Sequence, residues 1–238
     1  MTAEILLYIT TGVFAGFLCG LTGLGGGIFI VPTLLYIFPH HAPQLANASC
    51  SHFAIATSLT TVIFTAATSA IFHHKNGNIV CSALYRYLPY GILGAAIGAN
   101  IAISLPSFWL SKAFNTFLIL YALRMLSKVI KTYIGCKAPT PKQKSNYFVN
   151  TYVSCIAALS NIFGIAGGPI YAAGLTQKGM SLKQGIGTGI AISVFAATTG
   201  AIIYGFIDPL IHHTANPAWA SGYIYWPSVL FIAPFSVA

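Results

Sequence analysis

The sequence predicts an all-α, polytopic helical membrane protein. It is read as two inverted repeats, each starting with a glycine-broken re-entrant helix pair, the second repeat being truncated. Three observations predict this. First, the 238 residues include only 11 basic and 2 acidic side chains, 56% are hydrophobic, and the mean hydropathy is +0.78. A water-soluble fold needs far more charged surface. Second, the runs Ala46–Phe72, Tyr87–Ser111 and Gln184–Ile207 contain no Lys, Arg, Asp or Glu. Each is long enough to cross a hydrocarbon core of ~30 Å, which takes roughly 20 helical residues. The runs are continuous rather than alternating, which favours helices over a β-barrel. Third, a glycine cluster flanked by apolar residues occurs twice, in corresponding places.

The repeat is visible by eye. Leu21–Pro32 (LTGLGGGIFIVP) matches Ile162–Ala173 (IFGIAGGPIYAA), aligning Gly23 with Gly164, Gly26 with Gly167 and Gly27 with Gly168. Ala56–Ala70 matches Gly187–Ala201, aligning Thr57 with Thr188, Phe64 with Phe195 and Thr68 with Thr199. Tyr87–Ala99 matches Tyr225–Ala238, aligning Pro89 with Pro227. The first membrane repeat therefore occupies residues 1–134, a basic linker 135–146, and the second repeat 147–238.

In order, the first repeat reads as a broken pair (Glu4–Thr22, Gly26–Phe38), a spanning helix (Ser49–Phe72), a third segment (Ala83–Ile103) and a fourth (Phe108–Tyr133). The second repeats the broken pair (Phe148–Phe163, Pro169–Thr176), the spanning helix (Lys183–Phe206) and the third segment (Ser221–Ala238). It lacks a fourth, so the last hairpin is expected to be missing. Gly12, Gly16 and Gly20, four residues apart, are expected to serve close helix packing. The N-terminus carries Glu4 and no basic residue before its apolar run, which argues against a cleaved signal peptide.

Charge orients the chain. If the linker Lys128–Lys144 is cytoplasmic and Phe148–Thr176 dips in and returns, ten of the 11 cations fall inside, only Lys112 falls outside, and both acids, Glu4 and Asp208, fall outside. The N-terminus is then periplasmic, and the second repeat is inverted relative to the first. Inverted repeats with broken helices at their interface are a common architecture of secondary transporters. The simpler alternative is that each broken segment crosses once. The net charge of +9 does not point to nucleic acid, because the cations cluster in loops and at helix ends rather than on one basic face.

Gly23–Gly27 (GLGGG) is neither a P-loop nor a dinucleotide fingerprint. Within a membrane it exposes backbone that only protein or a water-filled cavity can cover. A helix starting there aims N–H groups and its positive dipole end at the break, which suits a small anion without a basic side chain. The second cluster repeats this device, with Pro169 suited to a first helical turn. The candidate substrate-binding residues are therefore Gly25, Gly26, Gly27, Gly167 and Gly168. Thr57, Ser58, Thr188 and Asn161 are the adjacent hydrogen-bond donors. The competing readings are helix packing for the glycines, and bonding between helices or back to the preceding turn for the hydroxyls.

The five cysteines show no CxxC pair and read as free thiols, mostly packed in the core. The pairs His40–His41, His73–His74 and His212–His213 suggest metal, but adjacent residues on a helix point apart and no carboxylate cluster accompanies them, so no metal site is assigned. His52 reads as packed or interfacial. Two distant acids leave no paired-carboxylate chemistry and no Ser-His-Asp set, so no catalytic residue and no cofactor are expected.

At GLGGGIFIVPTLL, ATSLTTV and their copies FGIAGGPIY and GIGTGIAIS, the chain resembles the TauE/SafE family of sulfite exporters, over Thr10 to Ala238. The resemblance implies transport of sulfite or organosulfonates and two inverted four-element repeats with re-entrant first elements. Ala166 stands where the first copy has Gly25. The leading expectation is a secondary transporter, an exporter of small sulfur-containing anions across the inner membrane. The alternatives are a divalent-metal transporter using the histidine pairs, and a non-transporting membrane scaffold.

Overall fold

The computed structural model describes residues 2–22, 26–41, 49–133, 145–207 and 219–237. Gly25, Asp208, His212–His213 and linker residues 134–144 lie outside them. The described chain is almost wholly helical. Its elements are α1 (Thr2–Thr22), α2 (Gly27–His41), α3 (Cys50–Lys75), α4 (Cys81–Ser104), α5 (Ser107–Tyr133), α6 (Asn146–Phe163), α7 (Gly168–Leu175), α8 (Leu182–Ile202) and α9 (Trp226–Val237). A 3-10 turn, Thr176–Lys178, follows α7, and a π-turn, Ile203–Ile207, continues α8.

Three of these helices are both long and apolar enough to cross a membrane: Cys50–Lys75, Cys81–Ser104 and Leu182–Ile207. At 1.5 Å per residue, α3 alone reaches ~39 Å. The outer surface is greasy, as a bilayer-facing surface must be: Phe17, Leu93, Leu120 and Leu230 are each about two-thirds exposed. Helix ends follow local chemistry. Gly164, at φ +68°, caps α6 in the left-handed region, and Ile165 N donates to Ser160 O at 3.0 Å. Ser181 and Gln184 form a reciprocal capping box that starts α8.

The packing is reciprocal. α3 lies against α8 at the centre; α1 packs on α9 and α6 on α4; α2 packs on α3 and α7 on α8. Thus the first helix of each half lies against the fourth of the other. Both outer contacts are made by small residues that let backbones touch. A Cβ on Gly12 would meet Ile232 O at 2.7 Å, and one on Gly16 would meet Ser236 O at 2.7 Å. On the other side, Gly94 and Gly98 of α4 press on the backbone of Ser154 and Ala158 in α6. Among the described residues Gly20 has nothing within 4 Å, so the close packing seen on this helix is made by Gly12 and Gly16.

Two further expectations are corrected. The segment Ser221–Ala238 was expected to be helical throughout, but a small antiparallel hairpin, β1 (Ala220–Ser221) and β2 (Ile224–Tyr225), precedes α9. Gly222, at φ +57°, turns it, and Tyr223 N donates to Tyr204 O at 3.2 Å, so tertiary bonds replace the helical ones. Cys81 and Cys155 are exposed rather than packed in the core, because small apolar side chains on a bilayer-facing surface need no burial.

Gly94→Leu should cost at least about 1–3 kcal/mol of stability, the usual penalty of overpacking, whereas Gly20→Ala should stay within about 0.5 kcal/mol of the parent. Thermal melting of the detergent-purified variants checks the pair.

Candidate functional site

The two glycine breaks meet. A side chain on Gly27, the first residue of α2, would strike the Gly164 carbonyl oxygen and would lie 2.8 Å from Ile165 Cα. Only glycine lets these two backbones touch. α3 runs past the same point: Ser58 Oγ donates to Gly164 O at 2.8 Å, and Ile55 lies against Gly164. Gly26, one residue before α2, is buried beside Ala15 and Ile30 and accepts from Phe29 N and Ile30 N.

The second break continues into α7. Gly167 precedes its first turn, Pro169 occupies that turn, and Tyr171 N donates to Gly167 O at 2.8 Å. A Cβ on Gly167 would meet the Tyr171 ring at 2.7 Å and Ser160 Oγ at 2.8 Å. The Gly168 carbonyl lies against Gly189 of α8. The first N–H groups of a helix have no partner within it, so α2 and α7 both present donors and positive dipole ends in this region.

Asn161 Oδ1 is buried without a hydrogen-bond partner among the described residues, and the buried Ser160 and Tyr171 hydroxyls have only each other. Asn161 is fully buried; its Nδ2 donates to Ala157 O at 3.0 Å, and its Oδ1 faces Gly200. Orphaned polar atoms at such depth are costly unless something else meets them.

Thr57 and Thr188 do a matched and different job. Thr57 Oγ1 accepts the N–H of Tyr225, just before α9, and Thr188 Oγ1 accepts the N–H of Val80, just before α4, both at 3.1 Å. Each central helix thereby holds the start of the other half's fourth helix. Both threonines are fully buried, and each hydroxyl keeps a proton to give. Thr60, Thr61 and Ser193 bond back to the carbonyl four residues earlier, the commoner use of such hydroxyls.

Of the residues singled out from sequence, the structure gathers Gly27, Ser58, Gly167 and Gly168 around the two breaks. Asn161 stands one turn before the second. Thr57 and Thr188 lie on the helix starts, and Gly25 lies outside the described residues. Sequence reading missed Ser160 and Tyr171; their signal was the polar pair Ser160–Asn161 and a tyrosine inside IFGIAGGPIYAA. Among the described residues no three His, Cys, Asp or Glu side chains come together as a metal site. His52 is buried with Nε2 3.1 Å from Ala102 O and stacks near Tyr223.

Removing the Thr57 or Thr188 hydroxyl leaves a buried N–H without an acceptor. Thr57→Val and Thr188→Val should each destabilise by about 1–3 kcal/mol, and the serine variants should not. Melting curves of the four variants test this.

Comparison with known proteins points the same way as the geometry. The sequence profile described as "Sulfite exporter TauE/SafE" matches residues 8–238. A Haemophilus influenzae protein named "Probable membrane transporter protein" is 32% identical over 99% of this chain and 86% of its own length. Bacillus subtilis YdhB, with the same description, is 27% identical over 85% of this chain and 81% of its own. The Methanocaldococcus jannaschii protein MJ0441, again so described, is 28% identical over 95% of this chain and 80% of its own. No solved structure matches.

Proposed function

Because the chain belongs to the TauE/SafE sulfite exporter family, and is thereby a multi-pass membrane transporter, we propose that it exports a small sulfur-containing anion, sulfite or an organosulfonate, across the inner membrane. The observation that carries this reading is the contact of Gly27 with Gly164 and Ile165. It puts the start of α2 beside the end of α6, just before α7 begins, and the N–H groups and positive dipole end of a helix start favour an anion. Gly26, Gly27, Gly167 and Gly168 are the backbone donors in this reading. Ser58, Asn161, Thr57 and Thr188 supply side-chain contacts and fix the helices around them. No enzymatic step is required of these groups.

The reciprocal packing supports an inverted pair of repeats, with the linker cytoplasmic and the N-terminus periplasmic, as the charge count requires. Transport then follows from rocking of one half against the other around the breaks.

Ligand binding to the folded state raises its melting point with concentration, by about 2.7 kcal/mol of stability at a hundredfold excess over Kd. Sulfite should raise the melting point of the purified protein, sulfate and chloride should do so less, and Gly167→Ala should melt cooperatively without the sulfite shift. A shift with nickel alone would favour the histidine pairs. Silence across the whole panel would contradict the anion reading.

A further inference from the structure

A cavity of about 240 Å³ lies between α5 and the α6–α7 pair. Tyr121 and Arg124 of α5, Tyr152 and Ser160 of α6, and Ile165 and Pro169 at the second break line it. It therefore runs from Arg124 to the break itself. Tyr152 and Ser160 are eight residues apart on one helix, which sets the two ends ~12 Å apart along α6.

Three features of this cavity bear on an anion. Among the described residues its one charged lining group is the guanidinium of Arg124, and no carboxylate lines it. Its inner end carries Ser160, which is 95% buried and whose hydroxyl has only the Tyr171 hydroxyl beside it among the described side chains. Beyond Ser160 lie Gly167 and the first turn of α7. The Tyr152 hydroxyl donates to Ile170 O at 2.8 Å, which ties the wall to α7 and leaves the arginine as the free donor group at the outer end. A cation at a cleft mouth with low-dielectric walls raises the local anion concentration.

We propose that this cavity is the anion's entrance to the second break from the linker side of the membrane. Arg124 is its capture charge, and the Ser160 hydroxyl is the donor that receives the anion at the inner end. The ligand class is a small singly or doubly charged oxyanion or sulfonate. The inference rests on the anion reading of the breaks and adds a route and a sidedness to it.

The test uses the full chain with its five native cysteines replaced, carrying Ser160→Cys. Ala173→Cys, on the same cavity wall, serves as a second site should the first not fold. The variants are labelled in sealed vesicles of either orientation with an anionic sulfonatoethyl or a cationic trimethylammonioethyl methanethiosulfonate. Ser145→Cys, exposed beside the linker, reports which face the linker occupies. The ratio of anionic to cationic labelling cancels any change in thiolate fraction. It should be high from the linker side and should fall about tenfold in Arg124→Gln, while Arg124→Lys keeps most of it; one unit charge several ångströms away in partly hydrated surroundings acts on this scale. Equal ratios in the parent and Arg124→Gln, or labelling from the opposite face alone, overturn the proposal and leave Arg124 as an interfacial anchor. Charge-selective labelling supports the entrance even where sulfite gives no thermal shift, so failure of the substrate assignment and failure of the entrance are separately visible.

Discussion

The approach of Gly27 to Gly164 and Ile165 is the constraint on which the rest of the arrangement depends. A single Cβ at Gly27 would separate two backbones that now touch. That contact brings the start of α2 to the end of α6, and α7 begins four residues later. Helix ends carry unsatisfied polar groups that a bilayer cannot solvate. Burying two of them against each other, with Ser58 bonded to the Gly164 carbonyl, makes the breaks tolerable inside an apolar protein. The same burial leaves the first N–H groups of α2 beside the second break.

Around this centre the halves grip each other by exchange. Thr57 and Thr188 sit on the two central helices and each holds the helix start of the opposite half. Glycines on α1 and α4 then let α9 and α6 close in on them. Movement of one half against the other would have to carry these bonds along or break them, so the threonine contacts are where a rocking motion would meet resistance.

Much of this fold was legible in the sequence because a membrane restricts the options. A charge-free apolar run must be helical, so the expected Ser49–Phe72 and Phe148–Phe163 differ from α3 and α6 by three residues or fewer at either end. The glycine clusters and the Thr57–Thr188 match could be read from the repeat alone. What could not be read was decided by contacts across the chain. Ser221–Tyr225 is apolar enough for a helix but is held as a hairpin by bonds to Thr57 and Tyr204. Ser160 and Tyr171 look like ordinary helix residues until their hydroxyls are found buried against each other. Arg124 counted in sequence only toward membrane orientation; its place in a cavity reaching the second break is a tertiary fact.

The central claim is that an anion crosses at the point where the two breaks meet. Its most direct test is counterflow of radiolabelled sulfite in proteoliposomes, comparing the parent with Gly27→Val and with Gly20→Val, whose new side chain meets none of the described residues within 4 Å. The account predicts that the parent and Gly20→Val exchange sulfite across the membrane and that Gly27→Val, inserted to the same level, does not. Sulfite exchange by Gly27→Val at the parent's rate would contradict it.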